Sequence, residues 1–169
     1  MCLRLELATG RVLRPAIPGD APRLVAMFER CSPASRYGRF LSPLRHFPAS
    51  HLIDVVRSSP IRRSWVIDDF ETGDVVGVGS WFRNQGEAAE VGLLVEDAWQ
   101  HHGHGRALLD ELVASARAAS ITTLVGHTLA GSRHVHRMLR ELGPSTTDSD
   151  GPTCTLHVSL ATELEALAG

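Results

Sequence analysis

Apolar and polar positions recur along the chain with periods that change from one segment to the next. Three runs, SWVIDDF, DVVGVGSWF and AEVGLLV, are rich in β-branched and aromatic residues and bounded by turn residues, which predicts three strands. ETGD and RNQGEA between them predict hairpin connections. Upstream, LRLELATGRVLRPAI reads as two short strands about a turn at Thr9 and Gly10. APRLVAMFERC instead places Leu24, Met27 and Phe28 on one face at helical spacing, with Asp20 as the cap and the first helical position near Ala21 and Pro22. From Ser32 to Pro60, the residues Pro33, Pro43, Pro48 and Pro60 break the chain into short helices and loops, and SHLIDVVRSS is the best helical piece. Downstream, helices over about 104–119 and about 132–142 enclose the strand ITTLVGHTL, and a final strand is expected near TCTLHVSL. The pattern is mixed α/β with no repeat or linker, and predicts one domain over residues 1–169.

Composition narrows the function classes. A formal net charge of −2 does not suit obligatory binding to nucleic acid or to an anionic membrane, since either favours a basic surface. No apolar run approaches the roughly 20 residues of a membrane span, and MCLRLELATG lacks the apolar core of a secretion signal, so the expected location is cytoplasmic. Cys2, Cys31 and Cys154 are odd in number and widely separated, so they are read as reduced thiols, outside any disulfide framework or thiolate metal site.

The chemistry concentrates in VEDAWQHHGHGRALLDELVASARA. Three histidines, His101, His102 and His104, first suggest zinc, but no carboxylate or cysteine has suitable spacing nearby, and no metal site is expected. Gly103 and Gly105 stand between a strand and a helix. Free backbone N–H groups and the positive end of a helix dipole make such a junction a phosphate site, which glycine lets an anion approach closely. A dinucleotide fingerprint would need a small residue where Leu108 stands, and the Lys-Ser/Thr of a P-loop is absent. Elsewhere, Arg36, Arg39, Arg45, Arg57, Arg62 and Arg63 face a single acid, Asp54, as either a solvated basic face or an acceptor or regulatory surface. His134 and His136, two apart on a helix, are read as surface residues.

QHHGHG resembles the Q/R-x-x-G-x-G/A acyl-CoA pyrophosphate loop of the GNAT superfamily of N-acyltransferases. The likeness extends over about residues 11–160 and includes GSRHVHRMLRELG one strand later. LRPAIPGDAPRL and CSPASRYGRFLSP are more narrowly similar to bacterial members that acetylate protein lysines, such as those acting on acyl-CoA synthetases. The resemblance implies a mostly antiparallel sheet of six to seven strands flanked by helices, with acyl-CoA bound at a splay beside the central strand. It implies acetyl-CoA as co-substrate, with Gln100, His101, His102, Gly103, His104, Gly105 and Arg106 around the pyrophosphate. Leu93, Leu94 and Val95 would pair with pantetheine, an amide near Leu94 would stabilise the oxyanion of a tetrahedral intermediate, and Ser132 would either touch CoA or cap its helix.

An acceptor lysine, with an ordinary pKa of about 10.4, needs a base before it can attack. Glu90 in AEVGLLV is similar in position to the glutamate base of lysine-acetylating members, and Glu96 and Glu87 are its rivals. Small-molecule members often place a tyrosine acid in the helix of GSRHVHRMLRELG, but Leu139 stands at that position and Tyr37 is the only tyrosine. Three functions follow as expectations: acetylation of a protein lysine, acetylation of a small amine, or acyl-CoA binding without catalysis. The oligomeric state stays open.

Overall fold

The computed structural model describes residues 5–7 and 10–160. Strands β1 (Leu5–Glu6) and β2 (Arg11–Pro15) lead into helices α1 (Ala21–Arg30), α2 (Pro33–Phe40) and α3 (Ala49–Val56). The meander β3 (Arg62–Asp69), β4 (Val75–Arg83) and β5 (Ala88–Val95) follows, then α4 (His104–Ala118), β6 (Thr123–Leu129), α5 (Arg133–Arg140), β7 (Ser145–Asp150) and β8 (Thr153–Ser159). They form one eight-stranded sheet in the order β1-β2-β3-β4-β5-β6-β8-β7. Every pairing is antiparallel except β5 with β6.

The period-two pattern of the strands separates two apolar layers, because successive side chains leave opposite faces of a pleated sheet. In β3, Trp65 and Ile67 pack with Leu108, Leu109 and Leu112 of α4, while Val66 between them packs with Leu24, Met27 and Phe28 of α1. Trp81 is fully buried, and its indole N–H donates to Ser115 Oγ at 2.8 Å. Such a bond removes the cost of burying the indole N–H unpaired.

Two details depart from the expectations, the strand count and the cap at Asp20, while a short helix after Ser32 accords with them. Among the described residues the sheet has eight strands where six to seven were expected: β7, STTDSD, is an almost wholly exposed edge strand with no apolar face to mark it. The segment after Ser32 contains a regular helix, α2, whose Ser32 Oγ accepts from Ser35 N–H at 3.2 Å. Asp20 stands at the N-cap of α1 without a capping side-chain bond. Its buried carboxylate instead takes the Arg14 guanidinium, with Nη1 and Nη2 at 2.8 and 2.7 Å, and the Ile17 N–H at 2.9 Å. Arg14 and Arg23 bridge onward to Asp68, at 2.5 and 2.8 Å. Thr9 of the expected first turn lies outside the described residues, as does Cys2, while β1 and β2 pair about it as anticipated. Among the described residues no helix is long and apolar enough to cross a membrane.

Candidate active site

The sheet opens in its middle. β5 and β6 pair from Ala88↔Thr123 to Val91↔Gly126 and then part, although β5 runs on to Val95 and β6 to Leu129. Leu139 of α5 packs onto the bare backbone of Gly126, where a Cβ would stand 2.9 Å from Leu139 Cδ1. Two cavities of about 600 and 620 Å³ meet in this splay, and both touch Gly38, Arg39, Leu93 and Ser132. One opens toward Glu90 and His127, the other toward Gln100, His101, Gly103, Gly105 and Arg106.

The ladder between β4 and β5 decides which amides face the gap. Glu96 N–H donates to Val76 O at 2.9 Å, and Asn84 N–H donates to Ala88 O at 3.1 Å, at the two ends of one uninterrupted register. Since the bonding direction alternates along an antiparallel strand, the even residues of β5, Leu94 included, turn their amides toward β4. Leu94 therefore does not present its N–H to the splay, contrary to the role expected for it. Leu93 and Val95 do, and the carbonyl of Val95 already accepts from Gln100 Nε2 at 3.0 Å. Leu94 is buried in the layer beneath α1. The backbone edge suited to pairing with a pantetheine arm is that of Leu93 and Val95.

At the far mouth, the chain enters α4 through two left-handed residues, His101 at φ 62° and Gly103 at φ 82°. The first bond closing the helix runs from Ala107 N–H to Gly103 O at 3.0 Å, so the amides of His104, Gly105 and Arg106 precede the helix's own bonding. A left-handed turn followed by free N–H groups is a nest for an anion, and the dipole of the fifteen-residue α4 reinforces it. A Cβ at Gly105 meets nothing within 4 Å, so the surface there is open to a ligand.

The three histidines diverge. His104 is 2% exposed beneath the loop, 6.4 Å from the Trp99 ring, and does not flank the anion site as expected. Burial lowers its pKa, with the Arg11 charge adding to the effect. His102 is exposed with Nδ1 2.6 Å from Gln100 O, and His101 approaches His134 with ring centroids 6.2 Å apart. Among the described residues no group of three or more histidine, cysteine or carboxylate side chains is placed to hold a metal ion. Gln100 bridges Val95 O to Ser35 Oγ, each at 3.0 Å, and so fastens α2 beside the loop. Asp97 fastens it further, accepting from Ser32 N–H and Oγ at 2.7 Å and Ser35 Oγ at 2.8 Å. Arg106 spends its charge on Asp110 and Glu141, at 2.8 and 2.7 Å. Ser132 is the N-cap of α5 by position but makes no capping bond, and lines both cavities.

At the near mouth, Glu90 Oε1 accepts from Asn84 Nδ2 at 2.8 Å and lies 3.8 Å from His127 Nε2. His127 Nδ1 is 3.1 Å from Thr155 Oγ1. Of the rivals, Glu96 is bound by Arg30 at 2.9 Å, and Glu87 lies 3.2 Å from Thr122 Oγ1; neither lines these cavities. Sequence reasoning passed over His127, which sits inside an ordinary strand pattern and meets Glu90 only because β5 and β6 are parallel neighbours.

The group at the centre is Arg39, which the sequence offered only as one of six arginines on a basic or acceptor surface. The Arg39 guanidinium lies directly on Gly92, where a Cβ would stand 2.5 Å from Nη2. Arg39 Nη2 donates to His51 Nε2 at 3.3 Å. Burial pulls the Arg39 pKa down to about 10, against the opposing pull of Glu90, and burial together with Arg39 pushes His51 down to about 4. The remaining arginines of that stretch do not form one basic face. Arg36 binds the carbonyls of Cys31, Arg45 and Glu29, Arg62 pairs with Asp54, and Arg63 binds Ser59 O. His136 is buried, not on the surface, with Nε2 2.7 Å from Thr128 Oγ1.

Solved structures share this architecture. The GNAT domain of S. lividans PAT superposes with a TM-score of 0.81 at 24% identity, over 94% of this chain and 97% of that one. A cAMP-binding acyltransferase from Mycobacterium smegmatis gives 0.64 at 21% identity over 96% of this chain, which spans 48% of that protein. yncA from Salmonella typhimurium, solved with its cofactor acetyl-CoA, gives 0.71 at 17% identity over 90% of this chain and 95% of that one. The family model of the GNAT acetyltransferases matches residues 24–143, from α1 through the splay and the loop to the end of α5, and the chain belongs to that family.

Proposed function

We propose that this protein transfers an acetyl group from acetyl-CoA to a primary amine, and that the amine is a protein lysine. One observation carries the reading: a single open strand edge, Leu93 to Val95, joins the amide nest at α4 to the carboxylate of Glu90. The nest suits a pyrophosphate, the edge suits the amide-bearing pantetheine arm, and the length between them would bring a thioester to the gap. Acetyl-CoA supplies an activated acyl carbon there.

The chain's own groups supply the rest. Glu90, with His127 beside it, takes the surplus proton of the acceptor ammonium, directly or through a water. The amine nitrogen then bonds to the acyl carbon, and a cleft-facing amide of Leu93 or Val95 stabilises the oxyanion that forms. When the C–S bond breaks, the electron pair goes to sulfur. No tyrosine stands at α5 to protonate that thiolate, Leu139 being buried against Gly126, so the second proton lost by the amine nitrogen reaches the sulfur through water.

The missing tyrosine and the segments similar to lysine-acetylating members support a protein acceptor such as an acyl-CoA synthetase. Free-thiol release from acetyl-CoA, measured on intact acyl-CoA synthetases and on polyamines, aminoglycosides and amino acids, tests the reading. Turnover on an intact protein and not on small amines is expected. Turnover on a small amine alone would replace the acceptor, and tight binding of acetyl-CoA with no turnover would make the chain a binding module.

A further inference from the structure

Arg39 occupies the meeting point of the two cavities, and a guanidinium there demands an explanation. Its guanidinium carbon lies 4.9 Å from the centre of the Phe40 ring, its hydrogen-bond partner is His51 Nε2, a neutral acceptor, and among the described residues no carboxylate lies within ion-pairing distance of it. Glu90 acts on it only through longer-range attraction and is itself held by Asn84. An arginine carries five N–H donors in a planar fork matched to a carboxylate, so His51 leaves most of that fork unused. Gly92 makes this placement possible: any side chain at that position would occupy the space of the guanidinium. A charged, half-buried guanidinium lying on the strand that is to hold the thioester and lining both cavities keeps donors free for an anion that enters them.

The geometry points to an acyl-CoA whose acyl group ends in a carboxylate, with Arg39 as the residue that receives it. This rests on the acyltransferase part of the reading above and puts a dicarboxylic acyl donor in place of its acetyl donor. The carboxylate belongs to the acyl group and not to the acceptor, because the acceptor-side cavity already carries Glu90 and Asp54 on its wall, which disfavour a second anion there. Arg39 lines both cavities and so stands at the reacting centre between them. The transfer keeps its balance: the amine nitrogen bonds to the thioester carbon, and the C–S pair leaves on sulfur. Of the two protons the acceptor ammonium loses, one goes to the base and the other reaches the sulfur through water, and the distal carboxylate passes unchanged into the amide product.

Calorimetric titration of the full chain with acetyl-CoA, butyryl-CoA and succinyl-CoA at one ionic strength tests this without an acceptor. Butyryl and succinyl chains share a length and differ in the terminal carboxylate. Succinyl-CoA is expected to bind roughly tenfold to a hundredfold more tightly than butyryl-CoA, the worth of hydrogen bonds to a charged group. Arg39→Gln should abolish that preference, and Arg39→Lys should retain part of it, since an ammonium keeps the charge and loses the fork. Thermal unfolding checks that the variants fold, and the wild-type comparison decides by itself if they do not. Succinyl-CoA bound no more tightly than butyryl-CoA, or a preference that survives Arg39→Gln, overturns the assignment while acetyl-CoA binding leaves the acyltransferase reading standing. Binding of none of the three esters overturns both.

Discussion

Glu90 Oε1 and His127 Nε2 lie 3.8 Å apart across the only parallel strand pair of the described sheet, at the mouth of the splay. A carboxylate and an imidazole placed together can pass a proton from an arriving ammonium toward solvent. Glu90→Gln should therefore lower turnover by about 10²–10⁴, the usual cost of losing a general base, while leaving acetyl-CoA affinity nearly unchanged. His127→Gln should cost less, since Glu90 remains. Initial rates across a pH series check this: equal profiles for wild type and Glu90→Gln would mean that the amine arrives already neutral.

Gly103 and Gly105 should fail for different reasons. Gly103 has φ 82°, where a β-branched residue is strained, so Gly103→Val should lower both stability and cofactor affinity. Gly105 is neither left-handed nor crowded, so Gly105→Val should leave the melting temperature nearly in place and abolish acetyl-CoA binding by filling the ligand's space. His102→Ala, on an exposed side chain, should change binding only modestly. Calorimetry and thermal unfolding on the three variants separate these outcomes.

Asp20 holds a buried network and no catalytic group. Its side chain is 2% exposed and pairs with Arg14 and Arg23. Removing one partner from such a pair typically costs about 3–5 kcal/mol, so Asp20→Ala should show a loss of that order in urea unfolding. Burial alone would raise the Asp20 pKa, but the bonds from Arg14 and the Ile17 N–H outweigh it and leave the pKa lowered. Its contribution is thus present above the ordinary carboxylate pKa and is lost as pH falls through the lowered folded value.

His51 gives a second pH dependence. Its pKa is pushed down to about 4 from an ordinary 6.5, so between those values the unfolded chain binds a proton that the folded one refuses. Stability should therefore fall as pH drops from about 6.5 toward 4, and the fall should be shallower in His51→Asn. Melting curves at intervals through that window measure it, and parallel curves for the two proteins would contradict the burial of a neutral imidazole.

What the sequence determined by itself is local. Period and turn chemistry marked β3, β4 and β5, the helix opening at His104, and the glycine loop before it, because each is a matter of neighbours along the chain. The same logic could not find β7, whose six residues present no apolar face, since edge pairing needs backbone and not side chains. Nor could it tell Leu94 from Leu93 and Val95 as the strand's outward amide. That choice depends on which partner β4 takes, and a shift of one residue in the ladder reverses it. Asp20 read as a cap because caps are local, but it shares Arg14 and Arg23 with Asp68, 48 positions further along the chain, which only the sheet brings near. Tertiary structure alone placed Arg39 on Gly92 and His127 beside Glu90. Helix α2 is folded over the sheet by Asp97 and Gln100, and β6 is laid parallel to β5 by the crossover of α4, so residues far apart in the chain meet at one gap in the sheet.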